Sequence, residues 1–163
     1  MTQENVHDVV GCVISADPYY RPKILLVKRK SKEEGERYWP ARWCYLTEHR
    51  NPGETDKDTL ARCLKEELGL PYPKWIVKGP VEVESRDPDY HELFRIHLYQ
   101  CLANGLEDRM DVNPSLNPEE ASRWIWTSTP FHTDAAIQSD IVFEDLYRHL
   151  DELSKSPIVL EQF

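Results

Sequence analysis

The sequence predicts one α/β domain of the α+β kind, and three observations carry that expectation. Short apolar runs alternate with turn residues, as strands do. Leucines at every fourth position between Asp56 and Leu68 mark one amphipathic helix. A length of 163 residues suits a single core and does not ask for a second domain.

The elements follow in order. Residues 9–15 read as a first strand and 23–29 as a second, joined through the Asp17–Pro18 turn. The polar stretch 30–37 is a loop that leads into Tyr38-Trp39-Pro40-Ala41-Arg42-Trp43. Residues 44–46 form a short buried strand, and Asn51-Pro52-Gly53 turns the chain. Thr55 or Asp56 caps the helix that follows. Leu60, Leu64 and Leu68 lie on one side of it with Ala61; Gly69 stops it, and Pro71 and Pro73 prevent continuation. Strands at 75–84 and 92–101 flank a turn at 86–90 that holds Pro88. Residues 104–118 form a long polar loop, 123–126 a strand, and 139–153 a last amphipathic helix. The apolar Ile158, Val159, Leu160 and Phe163 follow a polar break, so the tail is expected to pack on its own subunit or on a homodimer partner.

Composition narrows the function. No apolar run approaches the length needed to span a bilayer, and residues 1–8 are polar, so no membrane association and a cytoplasmic location are expected. A formal net charge of -9 speaks against duplex nucleic acid, which wants a basic face. A small phosphorylated ligand stays compatible with that charge, because a bound cation inverts it locally. Cys12, Cys44, Cys63 and Cys101 stand apart with no zinc-type spacing and read as free thiols.

The chemistry concentrates in Gly53-Glu54, seven residues, and Arg62-Cys63-Leu64-Lys65-Glu66-Glu67-Leu68-Gly69-Leu70. On a helix, the leucines cover one side while Arg62, Cys63, Glu66 and Glu67 gather on the other, with 62/66 and 63/67 as i,i+4 neighbours. Adjacent carboxylates repel unless a hard cation such as Mg²⁺ takes them as ligands, often together with substrate phosphates. A solvated helix face is the ordinary alternative for Glu66-Glu67 alone.

The whole run resembles the Nudix box, G-x5-E-x7-R-E-U-x-E-E-x-G-U with U apolar. Glu54, Arg62, Leu64, Glu66, Glu67, Gly69 and Leu70 stand at matching positions, with Trp43 upstream and Glu120-Ala121-Ser122-Arg123-Trp124 downstream resembling further family features. The resemblance implies a Nudix α-β-α sandwich with a mixed β-sheet over residues 1–163. It implies Mg²⁺ or Mn²⁺ at Glu54, Glu66 and Glu67, with Arg62 orienting a carboxylate. Two positions depart from the pattern: Glu48 stands where the box opens with glycine, and Cys63 replaces the glutamate after the arginine. Since that glutamate binds metal or activates water in many members, a general base is expected elsewhere, at Glu92, Glu119 or Glu120. Arg29 and Lys28 are candidates for substrate phosphate, and Trp43 for stacking on a ligand, with core packing as its plainer role.

The implied activity is metal-dependent hydrolysis of a nucleoside diphosphate linked to another moiety. The competing class is a non-catalytic Nudix module that binds a nucleotide or a protein. A lesser alternative is an enzyme similar to isopentenyl-diphosphate isomerases, whose cysteine–glycine–histidine turn corresponds to Thr47-Glu48-His49, with His7 and Glu92 near their remaining motifs.

Overall fold

The computed structural model describes residues 5–15, 24–68, 73–103, 121–127 and 142–162. Eight strands and two helices follow one another along these segments: β1 (Val6–Ile14), β2 (Ile24–Arg29), β3 (Trp43–Cys44), β4 (Leu46–His49), α1 (Asp56–Leu68), β5 (Pro73–Arg86), β6 (Leu93–Ala103), β7 (Ala121–Thr127), α2 (Leu146–Ser154) and β8 (Ile158–Gln162). One sheet has the order β4-β1-β6-β5-β8, a smaller one β3-β2-β7. The larger sheet is mixed, because β1 runs parallel to β6 and antiparallel to β4.

Strand alternation decides where the helices lie. Val9 and Val13 of β1 face one core with Ile96, Leu98, Leu146 and Leu153, so α2 covers that face. Val10, Cys12 and Ile14 face the opposite core with Leu60, Cys63 and Leu64, so α1 covers the other. A sheet between two helices is the expected sandwich. Gly11 is required inside it: a Cβ there would stand 2.9 Å from both Leu98 and Tyr45 side-chain atoms.

The helix bounds match the leucine period, and Thr55 is the cap. Its hydroxyl accepts from the Asp58 N–H at 3.2 Å, while Asp58 Oδ2 accepts from the Thr55 N–H at 3.1 Å, a reciprocal capping box. Three differences from the sequence reading matter. Residues 46–49 form a strand, because the open edge of β1 supplies backbone partners from Val9 to Cys12 that polar Thr47 and Glu48 side chains do not oppose. The last helix begins at Leu146. The tail becomes β8 on the edge of β5 in the same chain, with Lys57 Nζ 2.5 Å from Glu161. All four cysteines are free and buried.

Candidate active site

Strand β4 and helix α1 run side by side, and the site lies where their polar positions meet. Arg62 is the joint between them. Its guanidinium grips Glu54 with two hydrogen bonds, Nε to Oε2 at 3.1 Å and Nη2 to Oε1 at 2.9 Å. It also donates to the His49 carbonyl at 2.7 Å and reaches the Glu48 carboxylate at 3.3 Å. Glu54 in turn accepts from the Asn51 N–H at 2.8 Å and the Thr59 hydroxyl at 3.2 Å. These partners, Arg62 foremost, hold its carboxyl down at about 2. The Arg62–Glu54 pair thus ties the turn before α1 to the end of β4.

Beside this joint, Glu48, Cys63 and Glu67 bring one donor atom each to within 4.8 Å of one another. Helical geometry explains the selection. Cys63 and Glu67 are i,i+4 and stack on the face turned toward β4, whereas Glu66 is rotated away. Glu66 is exposed, 55% for its side chain, and sits 3.7 Å from Arg62. Cys63 is 1% exposed, and burial, then Glu67 and Glu48, push its thiol well above the usual range. It is therefore a neutral thiol behind two carboxylates. Two half-buried carboxylates on separate elements suit a hard cation that takes one or two protein oxygens and completes its shell with water and phosphate. The thiol contributes shape rather than charge.

A polar cleft of about 250 Å³ opens over this cluster, lined by Glu48, Glu67, Arg29, Thr47, His49 and Glu36 among others. Arg29, at the end of β2, donates to the Tyr38 carbonyl at 3.1 Å and to Glu36 at 3.0 Å, which aims its guanidinium along the cleft wall. Lys28 lies on the same strand in register with Trp43 and Arg123. Trp43 is buried in the core at 2% exposure. Glu92 belongs to a second cluster: it accepts from Asn5 at 2.6 Å and stands 3.5 Å from His7, whose Nδ1 is 3.2 Å from His49 Nε2. His49 links that cluster to the cleft. Burial, then His7, Arg29 and Arg62, lower its pKa. Glu119 and Glu120 lie outside the described residues.

Sequence reasoning thus named Glu54, Arg62, Glu66 and Glu67, and the structure brings Glu67 to the cleft, Glu54 to Arg62, and leaves Glu66 exposed beside Arg62. It missed Glu48 as a cleft residue. The sequence marked both 48 and 63 as departures from the box but not that they are neighbours in space, which only the fold shows.

The chain matches the NUDIX domain over residues 6–139. It belongs to the NUDIX family. Among solved structures, a MutT NUDIX hydrolase from Burkholderia pseudomallei is similar at 16% identity and a TM-score of 0.64, with 92% of this chain and 99% of that one covered. The NUDIX domain of Shewanella oneidensis NrtR, complexed with ADP ribose, is similar at 14% identity and 0.64, covering 95% and 89%. A C. elegans Ap4A hydrolase binary complex is similar at 17% identity and 0.64, covering 91% and 95%. No curated protein matches the chain. At these identities the structures establish the shared Nudix hydrolase fold. No helix among the described residues is long and apolar enough to cross a membrane.

Proposed function

We propose that this NUDIX protein is a metal-dependent hydrolase that cleaves the diphosphate bond of a nucleoside diphosphate linked to another moiety. The observation that carries the reading is the convergence of Glu48 and Glu67 under a cleft walled by Arg29. Glu67 and Glu48 would hold Mg²⁺ or Mn²⁺, with Glu66, exposed beside Arg62, as an outer carboxylate. The cation, when bound, polarises phosphorus and lowers the pKa of a coordinated water. Arg62, anchored by Glu54, keeps Glu48 aimed at the cluster. Arg29 neutralises and orients the diphosphate. Glu92, which reaches the cleft through His7 and His49, and Glu120 are the candidates for the displaced general base.

The relatives in complex with ADP ribose and with the name Ap4A hydrolase make nucleotide derivatives the first class to test. The experiment is phosphate release from a panel of nucleoside diphosphate derivatives, with Mn²⁺, Mg²⁺ or chelator. Turnover that needs the cation and falls at least a hundredfold in Glu67→Gln supports hydrolysis; turnover unaffected by chelator overturns it. A second reading, a non-catalytic binding module, is favoured by the neutral thiol at Cys63. It predicts nucleotide binding with no turnover on any substrate. An isomerase-type activity is the lesser arm, since Thr47 stands where those enzymes carry cysteine.

A further inference from the structure

A second, smaller cavity of about 60 Å³ adjoins the polar cleft. The two share Arg29, Tyr38, Tyr45, Thr47 and His49, so a ligand seated in the cleft meets the mouth of this slot. Its inner wall is apolar: Trp39, Phe94 and Phe143, with Val9, Cys44 and Ile96 beside them. The aromatic rings brace one another edge to face. Trp39 lies 4.9 Å from Phe94 and 5.1 Å from Phe143 between centroids, and His7 stacks on the far side of Phe94 at 4.2 Å. Such walls are stiff and set a size limit.

Three polar side chains at the slot are already engaged. Arg29 is held by Tyr38 and Glu36. The Tyr45 hydroxyl is 2.6 Å from His149, and His49 Nε2 is 3.2 Å from His7. A nucleobase carries several donors and acceptors on its edge, and each one buried here without a partner weakens binding. Volume gives the same answer. A cavity of about 150 Å³ is what benzene fills, and this slot has less than half of that at about 60 Å³. It excludes a purine and a phenyl ring alike, yet admits the end of a short alkyl chain.

We propose that the slot is a specificity site for a compact alkyl group attached to the diphosphate. The inference rests on the diphosphate-hydrolase reading of the cleft and names the chemistry of the other moiety. Two sources share that chemistry: a simple alkyl diphosphate, or a nucleoside diphosphate esterified with a short alcohol whose nucleoside stays in or beyond the polar cleft.

The test is calorimetric binding to the full chain in Mn²⁺ of inorganic diphosphate, isobutyl diphosphate, benzyl diphosphate, ADP and the isobutyl ester of ADP. Burying two or three methyl groups predicts that one or both isobutyl compounds bind about tenfold or more tighter than inorganic diphosphate. Whichever does so identifies the source. Benzyl diphosphate should bind no tighter than inorganic diphosphate, and any gain of ADP, made in the polar cleft, should persist when the slot is filled. Cys44→Leu and, independently, Val9→Leu fill the slot and should abolish the isobutyl advantage while inorganic diphosphate binding persists. An isobutyl group that adds nothing, a benzyl group that adds more, or an adenine gain that is lost when the slot is filled overturns the inference and leaves the hydrolase reading standing. Failure of inorganic diphosphate itself to bind in Mn²⁺ overturns both.

Discussion

Restoring a glutamate at position 63 should destabilise the metal-free protein, and a bound cation should offset most of that loss. In Cys63→Glu a third carboxylate enters a cluster whose donor atoms lie within 4.8 Å of one another, and at an effective dielectric of 20 each like-charge pair costs about 3.5 kcal/mol. Solvent at the cleft mouth screens the two partners, so roughly 2 kcal/mol per pair and about 4 kcal/mol in all is the working figure. Protonating the new group sets a similar ceiling, since moving a carboxyl from about 4.3 to pH 7 costs about 4 kcal/mol. Glutamate is also bulkier than cysteine at a site 1% exposed, so Cys63→Gln is the control that isolates charge from crowding. In chelator at pH 7, Cys63→Glu should melt on the order of 10 °C below Cys63→Gln. Mn²⁺ should close most of that gap, and adding Glu48→Gly to Cys63→Glu should close about half of it without metal. If the Glu and Gln variants melt within about 1 °C of each other in chelator, the cluster is not electrostatically coupled and the argument fails.

Other outcomes follow from the same geometry. His149 is buried and neutral: Ser85 donates to Asp145 at 2.5 Å, so His149 Nε2–H donates to Ser85 at 3.1 Å while Nδ1 accepts from Tyr45 at 2.6 Å. Burial lowers its pKa, so the unfolded chain binds a proton that the folded one refuses. Stability should be full above about pH 6.5 and fall as pH drops through and below it, a slope that urea melts of His149→Gln should lack. Leu64→Ala, at a position 0% exposed on the buried face of α1, should cost about 2–5 kcal/mol by the same melts. Truncation after Ser156 removes β8 and the Lys57–Glu161 contact and should lower the melting temperature; an unchanged melt means the strand adds nothing. Glu92→Gln and Glu120→Gln, assayed for turnover with metal-induced stabilisation as the control, locate the base: a loss of about 10²–10⁴ in rate with stabilisation intact identifies it.

Much of this fold was legible because its signals are local. The leucine period marked α1, and short apolar runs marked β1 and β2. Strand β4 was not legible, since Thr47, Glu48 and His49 carry no strand-like alternation and are extended by the edge of β1. The tail was seen to need a partner, and that partner is the edge of β5, although Ile158, Val159 and Leu160 stay nearly half exposed. At the site, helical spacing brought Cys63 and Glu67 to one face, but a wheel does not say which carboxylate faces the neighbouring strand. That depended on β4 crossing beside α1, a tertiary fact. The departures at 48 and 63 look unrelated at fifteen residues' separation in the sequence, and only the fold brings them into one cluster.

The most direct test is Mn²⁺ binding measured by calorimetry on the wild type and on four single variants. The account predicts one cation per chain, with Glu48→Gln and Glu67→Gln each weakening it at least tenfold. Glu66→Gln should stay within about threefold of wild type, because Glu66 is exposed beside Arg62, whereas Glu54→Gln should weaken binding about tenfold through the loss of the Arg62 anchor that aims Glu48. Loss of binding in Glu66→Gln with Glu48→Gln unaffected would contradict it.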